Sequence, residues 1–400
     1  MSQLSGHVVI APDKFRGSLS AAEVAAHVAA GLRAHAGREV VTVALPVADG
    51  GDGTVEAVVA AGFTRVETEV TGPAGDPVRA AYAWREAGAG ERGPTAVVEL
   101  AEASGLRRLP SEGEDVRFAP LTATTHGTGE LIAHAVRRGA RRIVLGLGGS
   151  ASTDGGTGMM RALGVRFLDA DGRELPPGGA ALRDLEKIDI SGLVAVDGVE
   201  FVIASDVDNP LLGPQGAAAV YGPQKGASPQ EVDLLGRALA RFAAVAAHTH
   251  GLVGAIEHDG VVRPMGVAAQ PGAGAAGGTG FADLAFLRAE FRPGIDYLLD
   301  LLGFQERLDG ARLVITGEGA LDEQTLRGKA PAGVAAAAAK AGIPVVAVCG
   351  RCDLGEEELN AAGITAAYAL TGIEPDPALC VSGAGPLLER LAREIADEHL

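Results

Sequence analysis

The stretch His7–Leu45, HVVIAPDKFRGSLSAAEVAAHVAAGLRAHAGREVVTVAL, changes its periodicity twice. His7–Ala11 is an unbroken apolar run and reads as a buried strand. Ser20-Ala21-Ala22-Glu23 is a capping-box sequence that opens an Ala-rich helix, which Gly37 ends. Glu39–Leu45 reads as a second strand and Thr54–Ala61 as a short helix. The far end of the chain repeats the pattern. Arg312–Thr316, Pro344–Cys349 and Ile364–Leu370 read as strands, and Pro331–Ala341, Glu356–Ala362 and Gly385–Glu398 as helices between and after them. Strands alternating with helices predict a parallel sheet covered on both faces.

The middle of the chain differs. Thr64–Arg85 alternates around the turn Gly72–Asp76, which predicts antiparallel strands. After the polar stretch Glu86–Pro94, Ala96–Leu100 is a strand, Thr125–Arg138 a helix and Arg141–Leu145 a strand. Pro229–His248 is an amphipathic helix, and the Gly-rich segment Pro271–Gly280 follows. The economical arrangement is a doubly wound α/β domain made from both chain ends, residues 1–66 and 294–400, with a mixed α+β domain, 67–293, inserted. Ligands of such folds favour the carboxyl ends of parallel strands and the clefts between domains.

Composition narrows the function. The 400 residues carry 34 Lys and Arg against 51 Asp and Glu, a net charge of −17. Lys and Arg never run longer than two residues, so nucleic acid and anionic lipid are repelled. Aromatics are 4% of the chain, too few for base-stacking surfaces. The 58 Gly follow no three-residue period, which excludes a collagen-like chain. Met1–His7 lacks the features of a secretory signal. The longest apolar candidate, Ala330–Cys349, is broken by Pro331, Lys340, Gly342 and Pro344, so cytoplasmic residence without membrane partners is expected. Cys349 and Cys352 have a redox-like spacing, but read as two thiols at a strand-to-loop junction, because Cys349 ends a short β run.

Six loops carry the chemistry. Asp13–Ser18 places Lys14, Arg16 and Ser18 before a helix, a position suited to an anion. Asp49-Gly50-Gly51-Asp52-Gly53-Thr54 offers two carboxylates for Mg²⁺ or a proton. Thr124–Glu130 opens a helix, with Thr as its N-cap and His126 as an acid/base or anion contact. Gly146–Gly156, GLGGSASTDGG, follows a strand and resembles a phosphate or carboxylate cradle. Asp206-Val207-Asp208-Asn209 follows the strand FVIAS, and Lys225 comes downstream. Thr316-Gly317-Glu318-Gly319 leads to Asp322 and Lys329. Any one loop is explicable as turn chemistry. Together they supply carboxylates, amides, hydroxyls and isolated cations, the equipment of phosphoryl transfer. Gly272–Gly277 matches G-x-G-x-x-G, but no strand leads into it, which argues against a dinucleotide site. Gly328-Lys329 lacks the remainder of a Walker A motif, and the protein-kinase signatures are missing.

Seven blocks, in order, then carry a resemblance: APDKFRGSLSA, PVADGGDGT, TATTHGTGELI, GLGGSASTDGGTG, SDVDNPLLGPQGAAAVYGPQKGA, PGAGAAGG and TGEGALDEQTLRGKAPAGVA. Over essentially its whole length the chain resembles the bacterial glycerate kinases of the two-domain type. The resemblance implies ATP-dependent phosphorylation of D-glycerate with Mg²⁺, to 2-phosphoglycerate, with 3-phosphoglycerate left open. It implies a Rossmann-like domain and an inserted domain with the site between them. The catalytic residues it implies are Asp206, Asp322 and Lys14. Arg16, Ser18, Gly149, Ser150, Asp208 and Asn209 would bind substrate. Gly148, Thr153, Lys225, Gly317 and Lys329 would bind ATP phosphates, and Asp49, Asp52 and Glu318 the metal. Three positions depart from the family pattern: Arg16 and Asp52 stand where Lys and Glu are common, and Ala320 where Arg is common. A homodimer is left open. The alternative reading is a non-catalytic hydroxy-acid sensor on the same scaffold. A second one, the galactokinase–mevalonate kinase superfamily, shares a Gly/Ser loop like GLGGSAS but not the strand before it.

Overall fold

The computed structural model describes residues 6–34, 40–88, 90–112, 115–250, 255–258 and 261–400. The chain divides into two compact units. One holds residues 1–49, 56–62 and 293–400, and the other 50–55 and 63–292. The strands of the two main sheets, in chain order, are β1 (His7–Pro12), β2 (Thr42–Ala44), β3 (Thr64–Thr71), β4 (Pro77–Arg85), β5 (Thr95–Glu99), β6 (Arg142–Gly146), β7 (Glu200–Ala204), β8 (Glu290–Arg292), β9 (Ala311–Leu321), β10 (Val345–Cys352) and β11 (Ala366–Ala369).

The first unit is built on a five-stranded sheet of order β11-β10-β9-β1-β2, with every pairing parallel. Helix α1 (Ala21–Arg33) opens at the capping box, where Ser20 and Glu23 exchange side-chain and backbone hydrogen bonds. Its apolar stripe, Val24, Val28 and Leu32, joins Leu388, Leu391 and Ile395 of the C-terminal helix over Val8, Ile10, Ile315 and Val346. The helix closes at Arg33, with Ala34 as its cap. Gly37 and Glu39 lie outside the described residues.

Strand β9 is longer than its apolar core Arg312–Thr316 suggests, because it runs on through Gly317 and Gly319 to Leu321. Gly317 permits this: a Cβ there would sit 2.4 Å from the carbonyl oxygen of Val348 on β10. The TGEG segment is therefore strand rather than loop. Strand β10 likewise extends through Cys352, so Cys349 is inside a strand and not at its end.

The second unit is built on a six-stranded mixed sheet of order β8-β7-β6-β5-β4-β3. Strands β5 to β8 are parallel, while β3 and β4 form the antiparallel hairpin predicted around Gly72–Asp76. Its core combines Tyr82, Trp84 and Val98 from the sheet with Leu131, Met160, Leu239, Phe242 and Phe281 from helices. Glu99, Gly146 and Ala204 stand in one row at the carboxyl ends of β5, β6 and β7. Among the described residues no helix is long and apolar enough to cross a membrane.

Candidate active site

In the first unit the carboxyl ends of β1 and β9 are adjacent. Pro12 pairs with Gly317, and the Asp13 amide donates to the Gly317 carbonyl at 2.8 Å. This places Asp13 and Lys14 beside the TGEG segment. The turn after them is held by Phe15, which is buried and exchanges backbone hydrogen bonds with Leu19. Arg16 and Gly17 are left exposed at its tip, with Gly17 at φ +78°. A Cβ at Gly319 would lie 3.4 Å from the Arg16 nitrogen.

Past β9, Glu318, Asp322, Thr325 and Lys329 form one cluster. The Thr325 hydroxyl donates a short hydrogen bond to Glu318 Oε1. Lys329 Nζ lies 3.6 Å from Glu318 Oε2 and 3.8 Å from Asp322 Oδ1. Asp322 also accepts from the Gln324 amide at 2.8 Å. Burial holds the Glu318 carboxyl above its ordinary range, against the pull of Thr325 and Lys329. The Asp13 carboxyl is pushed up to about 7, first by burial and then by Asp49 and Glu318, while Lys14 opposes the shift.

In the second unit three Gly-rich backbones meet at that row of strand ends. A Cβ on Gly50 would sit 2.1 Å from the Ala204 carbonyl oxygen, and one on Gly148 would sit 2.4 Å from Gly51 Cα. Only glycine permits this approach. The segment Pro271–Gly280 has the same use. A Cβ on Gly277, at φ +69°, would sit 2.2 Å from the Ser152 carbonyl oxygen, and one on Gly274 would sit 2.3 Å from that of Pro210.

Lys225 is 1% exposed. Its Nζ donates to Ser150 Oγ at 2.7 Å and to the Ser152 carbonyl at 2.5 Å. Burial lowers its pKa to about 7, opposed by Asp154. The buried hydroxyls of Ser152 and Thr153 have no hydrogen-bond partner. Asp154 accepts from the amides of Thr125, Gly156 and Gly158 and from the Thr125 hydroxyl. The Thr125 side chain therefore does not cap the helix His126–Arg138 as its position predicts. The tertiary contact with Asp154 outcompetes the local one. Asp206 and Asp208 are exposed, and Asn209 is fixed by Gln215 and Tyr221.

Two carboxylates read as one set belong to different units: Asp49 to the first, Asp52 to the second. Asp52 Oδ1 stands 3.2 Å from Arg107 Nη1. Sequence reasoning missed Asp13, Glu99 and Arg107 as members of these clusters. Asp13 and Glu99 do carry a signal, since each is an acid closing an apolar strand run. Arg107 carries none. Among the described residues no three His, Cys, Asp or Glu side chains form a ready metal cage.

The model of the glycerate kinase family matches residues 8–399. A glycerate kinase of Bacillus subtilis (strain 168) is 42% identical over 97% of this chain and 96% of its own length. A glycerate 2-kinase of Escherichia coli (strain K12) is 44% identical over 86% of this chain and 84% of its own. A crystal structure from Salmonella typhimurium LT2, assigned as a glycerate kinase 2, superposes with a TM-score of 0.79 at 40% identity and covers 98% of both chains. With this likeness over nearly its full length, the chain belongs to the glycerate kinase family and is an enzyme, a kinase.

Proposed function

We propose that the protein transfers the γ-phosphoryl group of ATP to the 2-hydroxyl of D-glycerate, giving 2-phosphoglycerate. The match to the glycerate kinase family over residues 8–399 carries this reading. The relative from Escherichia coli, named a glycerate 2-kinase, supports the choice of hydroxyl. We read the five-stranded parallel sheet as a Rossmann-like domain of residues 1–66 and 294–400, with 67–293 inserted. The cytoplasm as its compartment belongs to the same reading.

In the first unit, Lys14 acts as the catalytic cation and Asp322 as a proton acceptor. Arg16 and Ser18 bind substrate, and Gly317 and Lys329 bind phosphate. Lys329 suits that task because its ammonium stands 3.6–3.8 Å from its carboxylates, loosely enough to turn to an incoming anion. In the second unit, Asp206 acts as base, and Gly149, Ser150, Asp208 and Asn209 bind substrate. Gly148 and Thr153 meet phosphate. Lys225 supports them from below, since it is already committed to Ser150 and Ser152.

The hard carboxylate oxygens of Asp49 and Glu318 in the first unit, and of Asp52 in the second, are of the kind that suits Mg²⁺, which keeps waters and takes one or two carboxylates along with substrate phosphates. Held by such carboxylates, the ion would neutralise charge on the transferring group. The test is ADP release on adding D-glycerate, ATP and Mg²⁺, with ³¹P NMR of the product. A 2-phosphoglycerate signal is expected. A 3-phosphoglycerate signal overturns the regiochemistry, and glycerate binding without ADP supports the sensor.

A further inference from the structure

Arg107 lies on the single helical turn Leu106–Arg108 after β5. Its stretch of chain runs alongside the Gly-rich loop of the second unit. The Leu106 amide donates to the Gly149 carbonyl at 2.9 Å, and the Ala151 amide to the Ser104 carbonyl at 3.0 Å. The guanidinium then faces three acids. Nη1 makes an ion pair with Asp52 Oδ1 at 3.2 Å, without the geometry of a hydrogen bond. Nη2 faces Glu99 Oε1 at 3.2 Å and Glu102 Oε1 at 2.5 Å, and Nε donates to the Ala101 carbonyl at 3.4 Å.

Glu99 completes the arrangement. It is 1% exposed, and its other oxygen accepts the amides of Gly53 and Val55, each at 3.1 Å. Those amides belong to the first and third residues after Asp52. One acid therefore holds the backbone of the loop, and the cation bound to that acid holds the loop's side chain.

The two halves of the fork are energetically unlike. The pairs with Glu99 and Glu102 are buried on the acid side and keep those carboxylates compensated. The pair with Asp52 joins side chains that are 43% and 38% exposed, and such a pair adds little to stability, about 0–1 kcal/mol. Its yield is therefore geometric: it sets the direction of one carboxylate.

We propose that Arg107 is a positioning residue for the phosphoryl-transfer reaction, aiming the Asp52 carboxylate while Glu99 pins the backbone that carries it. The inference rests on the functional reading above. Lysine cannot substitute, because one ammonium cannot address both acids from a fixed fork.

The test is a double-mutant cycle with Arg107→Lys and Asp52→Asn, read as kcat and KM for D-glycerate, with hydrogen exchange followed over residues 50–56. Arg107→Lys is expected to lower kcat roughly 30-fold with KM for glycerate within roughly twofold, and to speed exchange in the loop roughly tenfold. In the Asp52→Asn background the same change should cost nothing further. Losses that multiply, or an Arg107→Lys enzyme with wild-type kcat, overturn the proposal. If Arg107→Lys does not fold, Glu99→Gln runs the same cycle, since it keeps an acceptor for both amides and loses the charge facing Nη2. If the wild-type protein does not turn over glycerate, the functional reading falls. Hydrogen exchange then decides the grip alone, and an unchanged rate overturns it.

Discussion

The two units treat the same chemical groups in opposite ways. In the first, Lys329 stands about a third exposed at 3.6–3.8 Å from two acids, and the Asp13 carboxyl sits near neutrality. In the second, Lys225 is 1% exposed with two of its three N–H groups donated to Ser150 and a carbonyl, and Asp154 is saturated by three amides and a hydroxyl. Loose pairs can exchange partners when an anion arrives. Saturated buried groups cannot do so without leaving a charge or a carbonyl unpaired. The Lys329 cluster of the first unit is thus loosely paired, whereas Lys225 and Asp154 of the second are committed to holding backbone and hydroxyl groups.

The largest effect that would break this contrast comes from exchanging the two lysines for methionine. Lys225→Met should destabilise the fold by roughly 3 kcal/mol and remove most activity, because Ser152's carbonyl and Asp154 lose their cation. Lys329→Met should lower kcat roughly 100-fold while the melting temperature stays within roughly 2 °C. Equal losses of stability in thermal melts would erase the distinction.

Backbone crowding sharpens it next. Gly277→Ala places a Cβ 2.2 Å from a carbonyl oxygen at φ +69° and should cost roughly 3 kcal/mol in denaturant unfolding. Gly17→Ala, at φ +78° with nothing within 4 Å, should cost only about 1 kcal/mol. A similar cost for both would mean that strain, not packing, governs the second unit.

The smaller effect is in pH. Between its ordinary 3.8 and about 7, Asp13 binds a proton in the folded chain that the unfolded chain has released. Its contribution to stability is therefore full below pH 3.8 and is lost as pH rises through 7. The groups that face it are Lys14, Asp49 and Glu318. Asp13→Asn, neutral throughout, should melt roughly 3 °C above wild type at pH 8 and level with it at pH 4. A constant offset across that range would show that the carboxyl does not titrate there.

Much of this was legible in the chain. The hairpin around Gly72–Asp76, the capping box at Ser20 and the strand before GLGGSAS obey local rules of period and turn chemistry. Where local rules misled, a distant contact had won. Thr125 abandoned its cap for Asp154, and β9 ran on through Gly317, where only a glycine clears the Val348 carbonyl of the neighbouring strand. Cys349 and Cys352 both fall within β10 for the same reason, continued pairing with β9.

The sequence by itself determined the α/β alternation, the phosphoryl-type residue set and the family. These depend on residue type and spacing along one chain. Only the tertiary structure decided which of those residues act together. It assigned Asp49 and Asp52 to different units, sank Lys225 beneath Ser150, and gathered Glu99 and Arg107 around Asp52. Partnership and burial are properties of strand register and close backbone packing, and residues 44 or 75 positions apart carry no local mark of meeting.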